Sequence, residues 1–149
     1  MQIFIGFLKT IFTYSFCMNI HFAISSFDRM PQILSHDYVP IAIDTKVPDG
    51  FNGLAYDPLT PDLSLAEAVK TKEIGPDVYR VLYEKRLALL SFEEVQRDLK
   101  LMTQYATRIC LVTSAPFNVD SHRRWVAHWF TQNGTPMKEI YARAHVRRD

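Results

Sequence analysis

A short polar sequence near the end of the chain, Ser121-His-Arg-Arg124, contains the residues best suited to chemistry. It follows an apolar segment at 107–113 and a loop, which predicts a strand, a loop and the first turn of a helix. Free backbone amides at a helix start carry partial positive charge and bind anions. Arg123 adds a guanidinium that can hold a phosphate or carboxylate through two parallel hydrogen bonds. His122, whose ordinary pKa is near neutrality, is the candidate catalytic acid or base.

Other polar residues fall where the predicted strands end. In an open parallel sheet, ligands bind beyond the carboxyl ends of the strands. Asp44 ends one predicted strand and is expected to accept a hydrogen bond from a sugar hydroxyl, while the loop at 45–63 is expected to form the opposite wall. The residues predicted to bind the ligand are Asp44, Asn52, Gly53, Tyr56, Thr113, Ser121, His122 and Arg123.

The elements that position these residues follow from hydrophobic periodicity. Strands are predicted near 18–25, 38–44, 107–113 and 137–142, and helices near 64–71, 76–90, 91–106 and 121–132. Alternating strands and helices predict an α/β fold with a mostly parallel sheet. We expect a small three-layer, Rossmann-like domain of about four strands, with helices on both faces. The strand at 107–113 is apolar on both sides and belongs in the middle of the sheet.

Local patterns sharpen several of these elements. Ser64 with Glu67, and Ser91 with Glu94, have the spacing of capping boxes at helix starts. In the last helix an apolar stripe is expected to pack in the core, whereas His128 is expected at the surface. The stripe consists of Trp125, Val126, Trp129 and Phe130.

Composition restricts the classes of function. The 149 residues are 48% hydrophobic and carry a formal net charge of +1, so the total charge predicts no long-range attraction to nucleic acid or membranes. Cys17 and Cys110 form no metal-binding motif, and no metal site is predicted. Two isolated cysteines suit a reducing compartment, and we expect a cytoplasmic protein with Cys110 buried.

The N-terminal segment differs from the rest of the chain. Residues 1–17 contain eight Ile, Leu or Phe residues and one charged side chain, Lys9. A signal peptide would carry its charge before the apolar core and end in small residues, which this segment does not. The favoured interpretation is an apolar extension upstream of a true start at Met18, and a membrane anchor or leader is the alternative. The predicted domain covers 18–142, and a basic tail covers 143–149.

Several short motifs follow one another in a fixed order along residues 18–141. They are Val39-Pro-Ile-Ala-Ile43, Phe51-Asn-Gly53, Leu59-Thr-Pro61, Tyr79-Arg-Val-Leu-Tyr-Glu84, Leu111-Val112, Ser121-His-Arg123 and Asn133-Gly134. In order and spacing the chain resembles domain of unknown function 488 (DUF 488), a family found in bacteria, archaea and their phages. The resemblance implies an α/β fold with a site at the strand ends, and it implies no established reaction.

The resemblance also marks residues that differ from the family's pattern. In that family the corresponding strand ends in a cysteine followed by an aromatic residue and a glutamate, and the helix opens with Cys-His-Arg. His122 and Arg123 match, but the cysteine positions fall on Thr113 and Ser121, and the glutamate position falls on Ala115. A thiolate nucleophile at these positions is therefore excluded here.

Three functions agree with these observations. The leading hypothesis is binding of a small phosphate-bearing or nucleotide-like ligand at the strand ends. The second is a non-catalytic protein-interaction domain with a decayed site, which the missing cysteines and glutamate favour. The third is nucleic-acid binding through Arg123, Arg124, Arg143, Arg147 and Arg148. The sequence names no cofactor and leaves open whether the protein is an enzyme.

Overall fold

The computed structural model describes residues 19–114 and 121–141. The strands in these residues are β1 His21–Ser26, β2 Val39–Ala42, β3 Leu54–Ala55, β4 Arg108–Thr113 and β5 Lys138–Glu139. The α-helices are α1 Met30–Ser35, α2 Leu63–Lys70, α3 Pro76–Ala88, α4 Phe92–Met102 and α5 His122–Gln132. The predicted extension at 1–17, Ala115 and the predicted tail at 143–149 lie outside the described residues.

The strands form a sheet in the order β3-β2-β4-β1-β5, and every pair is parallel. This confirms the predicted α/β, Rossmann-like class. β4 lies in the middle, paired with β2 and β1, as its apolar character on both faces predicted. The described sheet has five strands instead of about four, because Leu54 and Ala55 pair with β2 inside the segment predicted as loop.

Side chains alternate between the two faces of the sheet and build a core on each. Phe22, Ile24 and Leu111 belong to the larger core, which α3, α4 and α5 cover. Ala23 and Cys110 belong to the smaller core, where Ile33 of α1 packs. The buried Cys110 confirms its prediction. The three-layer arrangement is also confirmed, although α1 itself was not predicted.

The two predicted capping boxes have different outcomes. The Ser91 hydroxyl accepts a hydrogen bond from the backbone N–H of Glu94 at 3.3 Å and caps α4 as predicted. The box at Ser64 is wrong, because α2 begins at Leu63 with Asp62 in the N-cap position. The Asp62 carboxylate makes no cap bond, and it forms an ion pair with Arg86 of α3.

Helices α3 and α5 pack through aromatic side chains. Tyr83 of α3 is fully buried, its ring lies against Trp125 of α5, and its hydroxyl donates to the Leu59 carbonyl oxygen at 2.6 Å. The helical spacing of Val78, Val81, Leu82 and Leu89 predicted this helix, but all four side chains are exposed, and Leu89 lies one residue beyond the end of α3. In α5, the predicted stripe packs in or against the core and His128 is exposed, as expected. No helix within residues 19–114 and 121–141 is both long and apolar enough to cross a membrane.

Candidate functional site

The first turn of α5 follows the central strand β4 and carries the predicted anion-binding residues. Ser121 occupies the N-cap position in extended conformation, with φ −142 and ψ 167, and its carbonyl oxygen accepts from the N–H of Arg124 at 3.0 Å. Its hydroxyl makes no capping bond. The helix therefore begins without the side-chain cap that serine usually supplies, and the hydroxyl remains available for another partner.

His122 packs toward β2. Its Nε2 lies 2.7 Å from the Ile43 carbonyl oxygen, so Nε2 carries the proton and donates. The ring also packs against Tyr83, with 5.5 Å between the ring centroids. Burial lowers the pKa of His122, and the Asp44 charge and the bond to Ile43 oppose this only in part. The imidazole is therefore neutral at pH 7. Its hydrogen bond to Ile43 links the start of α5 to the end of β2.

Arg123 packs in the other direction, toward β5. Its side chain is 2% exposed, and its Nη2 lies 3.5 Å from Oε1 of Glu139 in an ion pair that makes no hydrogen bond. Burial lowers the pKa of Arg123, with Glu139 opposing, and burial raises the pKa of Glu139, with Arg123 opposing. For both groups, desolvation outweighs mutual attraction, so this ion pair compensates its charges incompletely.

Several buried polar atoms at the end of β4 and the start of α5 have no hydrogen-bond partner among residues 19–114 and 121–141. They are Thr113 Oγ1, Ser121 Oγ, and Arg123 Nε and Nη2. Thr113 ends β4 and pairs with Ser26 at the end of β1. Asp28 follows Ser26 by two residues, and its carboxylate acts electrostatically on Arg123. Buried polar groups without partners are uncommon in folded proteins, and each one requires an explanation. Hydroxyl and guanidinium groups can all donate to an oxyanion.

Asp44 ties the ends of β2 and β4 together. Its Oδ2 accepts hydrogen bonds from the backbone N–H of Ser114 at 2.8 Å and from the Ser114 hydroxyl at 2.7 Å. Its Oδ1 accepts from the N–H of Lys46 at 3.3 Å. Both carboxylate oxygens are thus engaged within the protein. A sugar hydroxyl at Asp44, as predicted, would have to share these acceptors.

The predicted opposite wall lies apart from the first turn of α5. Tyr56 is buried, and its hydroxyl donates to Asp98 of α4 at 2.8 Å; burial, reinforced by Asp98, raises its pKa. Asn52 and Gly53 line a separate cavity beside α1. The structure therefore places Ser121 and Arg123 in the first turn of α5 and Thr113 at the end of the preceding strand β4, whereas the Tyr56 hydroxyl contacts α4 and Asn52 lines the cavity beside α1.

Glu139 is a site residue that the sequence did not indicate. It is an isolated acid in the two-residue strand β5, and only the pairing of β5 with β1 brings it to Arg123. Within residues 19–114 and 121–141, no group of three or more His, Cys, Asp or Glu side chains could hold a metal ion. No family model, curated protein or solved structure matches the chain.

Proposed function

We propose that the protein binds a small phosphate-bearing, nucleotide-like ligand through its oxyanion at the first turn of α5. The observation that carries this proposal is a set of buried polar groups on Thr113, Ser121 and Arg123 that have no hydrogen-bond partner within the part of the chain that the structure describes. Such groups cost free energy in the folded protein unless a partner arrives. An oxyanion satisfies all three residues, since each offers a donor and the helix start adds backbone N–H groups.

The charge around Arg123 also favours an anion. The charged side chains acting on Arg123 and Glu139 include the guanidinium groups of Arg29 and Arg124 and the carboxylate of Asp28. Burial nevertheless lowers the pKa of Arg123, so an added anion would stabilise the charged form of its guanidinium. Because Glu139 is held only loosely, an oxyanion reaches Arg123 by taking the place of that carboxylate.

The resemblance to domain of unknown function 488 supports the same location. We propose that the chain is a member in which hydroxyl groups, at Thr113 and Ser121, replace the two cysteines. This is a binding site without the thiol chemistry that cysteines would provide. His122 uses its Nε2 proton to hold Ile43, and we assign it no catalytic step.

Phosphate titration of the Arg123→Met variant tests the proposal. Ligand that binds only the folded state raises the melting temperature as its concentration passes Kd. Inorganic phosphate should raise the melting temperature of the wild-type protein by a few degrees, measured against sodium chloride at equal ionic strength. Arg123→Met should abolish this shift, while the exposed Arg97→Met in α4 makes the same charge change and should retain it. An equal response in Arg123→Met and wild type would refute the proposal.

A second variant tests how the ligand reaches the guanidinium. Glu139→Gln removes the competing carboxylate while keeping the size of the side chain, so phosphate affinity should rise several-fold. An electrostatic effect on the whole molecule would instead act equally at other acids. Glu93→Gln, at an exposed position in α4, is therefore the matched control and should leave phosphate affinity unchanged.

A further inference from the structure

A cavity of about 610 Å³ lies beside α1, between this helix, β2 and the chain leading into β3. Its walls are mostly apolar, and they include Phe27, Met30, Leu34, Val39, Phe51 and Leu54. The volume is within the range of roughly 300–1,000 Å³ found for small-molecule sites. The cavity is distinct from the junction at Arg123, and nothing in the proposed anion site accounts for it.

Aromatic rings build one side of this cavity. Phe27 and Phe51 pack edge to face, with 5.2 Å between ring centroids and 73° between ring planes. The Phe51 ring folds over Gly53, where an added Cβ would lie 2.3 Å from the ring. Only glycine therefore permits this position of Phe51. The pair presents aromatic surface to the cavity, and aromatic surface favours flat, aromatic ligands.

Polar side chains occur at the rim. Asp49 and Asn52 are exposed and both line the cavity. The Asn52 carboxamide can donate and accept, and the Asp49 carboxylate accepts. A flat ring with donors and acceptors along its edge can hydrogen-bond both groups, whereas a purely aliphatic ligand can bond neither.

We propose that this cavity binds the heteroaromatic ring of a nucleobase, held between apolar walls and recognised at its edge by Asn52 and Asp49. The ligand class rests on the proposed function, since the ring would belong to the same nucleotide-like molecule. The turn Phe27–Arg29 links the two places: Phe27 lines the cavity, and Asp28 acts on Arg123. The cavity itself requires no phosphate to bind a ring.

The test uses nucleosides, which have the ring and no phosphate. Adenosine, guanosine, cytidine and uridine are titrated at millimolar concentration into the full chain, and amide shifts of Asn52 and Gly53 are followed by NMR. Leu34→Trp fills the cavity from an exposed position on α1, where Leu34 is 55% exposed. Leu101→Trp, on α4 at 53% exposure, is the matched control. At least one nucleoside should shift these amides, with affinity at least tenfold weaker in Leu34→Trp and unchanged in Leu101→Trp.

The outcomes separate this inference from the anion site. Nucleoside binding that Leu34→Trp weakens supports the ring site even if inorganic phosphate fails to bind, in which case only the function proposed at Arg123 is lost. Phosphate binding without any nucleoside binding overturns the ring site alone. Nucleoside binding that is equal in Leu34→Trp and Leu101→Trp overturns it as well, since the ring would then lie elsewhere.

Discussion

Arg123 is the residue at which the requirements of stability and of ligand binding differ most. A side chain that is 2% exposed and without a full set of hydrogen bonds lowers the stability of the protein that contains it. Its loose partner Glu139 is itself shifted toward the neutral form by burial. A group that costs stability in the free protein is explained if it lowers the free energy of a bound state.

Thr113→Val separates these roles, because valine has the shape of threonine without the unpartnered hydroxyl. The free energy of unfolding should stay within about 0.5 kcal/mol of wild type or rise, since no hydrogen bond is lost. Phosphate affinity should nevertheless fall. Chemical denaturation and phosphate titration of the same samples measure both quantities.

Ser25→Ala is the matched control for stability. The Ser25 hydroxyl is buried and donates to the Ile140 carbonyl oxygen at 2.8 Å. Its loss should cost about 1 kcal/mol without altering phosphate affinity. If Thr113→Val destabilises the protein as much as Ser25→Ala does, the Thr113 hydroxyl has a hydrogen-bond partner within the protein and is not a free donor for a ligand.

His122 predicts a dependence of stability on pH. Burial lowers its pKa below the ordinary 6.5, so near that pH the unfolded chain binds more protons than the folded one. Stability is therefore complete above pH 6.5 and decreases as pH falls through 6.5 toward the folded-state pKa, by at most about 1.4 kcal/mol per pH unit. Denaturant unfolding between pH 7.5 and 5 should show this slope in wild type and a reduced slope in His122→Gln. His128→Gln, at an exposed position, should keep the wild-type slope, and a slope that survives in His122→Gln would assign the effect to another group.

The types of residue at the site could be predicted from the sequence more readily than the directions in which their side chains point. Their place after the central strand followed from periodicity, and β4 and α5 are where the pattern put them. The divergence of His122 toward β2 and Arg123 toward β5 did not follow, because adjacent helical residues point about 100° apart and the neighbouring strands decide their partners. Ile43 and Glu139, the partners of His122 and Arg123, are distant from them in sequence. The order of the strands in the sheet brings both partners near the start of α5.

At the scale of elements, the long amphipathic segments were predictable and the short ones were not. Helix α4 shows Val95 and Leu99 on one face with a cap at Ser91, and it occurs as expected. Strand β3 has two residues, too few to display alternation, and parallel pairing with β2 defines it. Periodicity also predicted the wrong buried face for α3, because Val78, Val81 and Leu82 share the helical spacing but are exposed. Tyr83 and Leu87 fill the core instead.

The capping serines give a prediction at this scale. Ser91→Ala removes the oxygen that accepts from Glu94 at the start of α4 and should lower the free energy of unfolding by about 1 kcal/mol. Ser64→Ala, one residue inside α2, removes no cap and should change it by less than about 0.5 kcal/mol. Urea unfolding of both variants measures the difference. Equal losses would mean that Ser64 caps α2 in solution.

At the scale of the whole molecule, the described residues form a parallel sheet whose middle strand is buried and whose edge strands are short. β4 has two paired neighbours and is buried along nearly all its length, whereas β3 at one edge is two exposed residues. Backbone groups in such a middle strand open only when the whole domain unfolds, while edge groups open locally. The free energy of local opening should therefore be highest at the centre of the sheet and should decrease toward its edges.

Hydrogen exchange of this sheet gives the prediction for the whole molecule. Amides of β4 should exchange at least about a thousandfold more slowly than those of β3, since global unfolding usually requires about 5–15 kcal/mol. Leu99→Ala, at a fully buried position in α4, should cost about 2–5 kcal/mol and accelerate β4 exchange by at least about thirtyfold, although α4 and β4 are different elements. Leu89→Ala, at 89% exposure, should leave β4 exchange unchanged. If Leu99→Ala instead accelerated only the amides of α4, the sheet and its helices would not unfold as one cooperative unit.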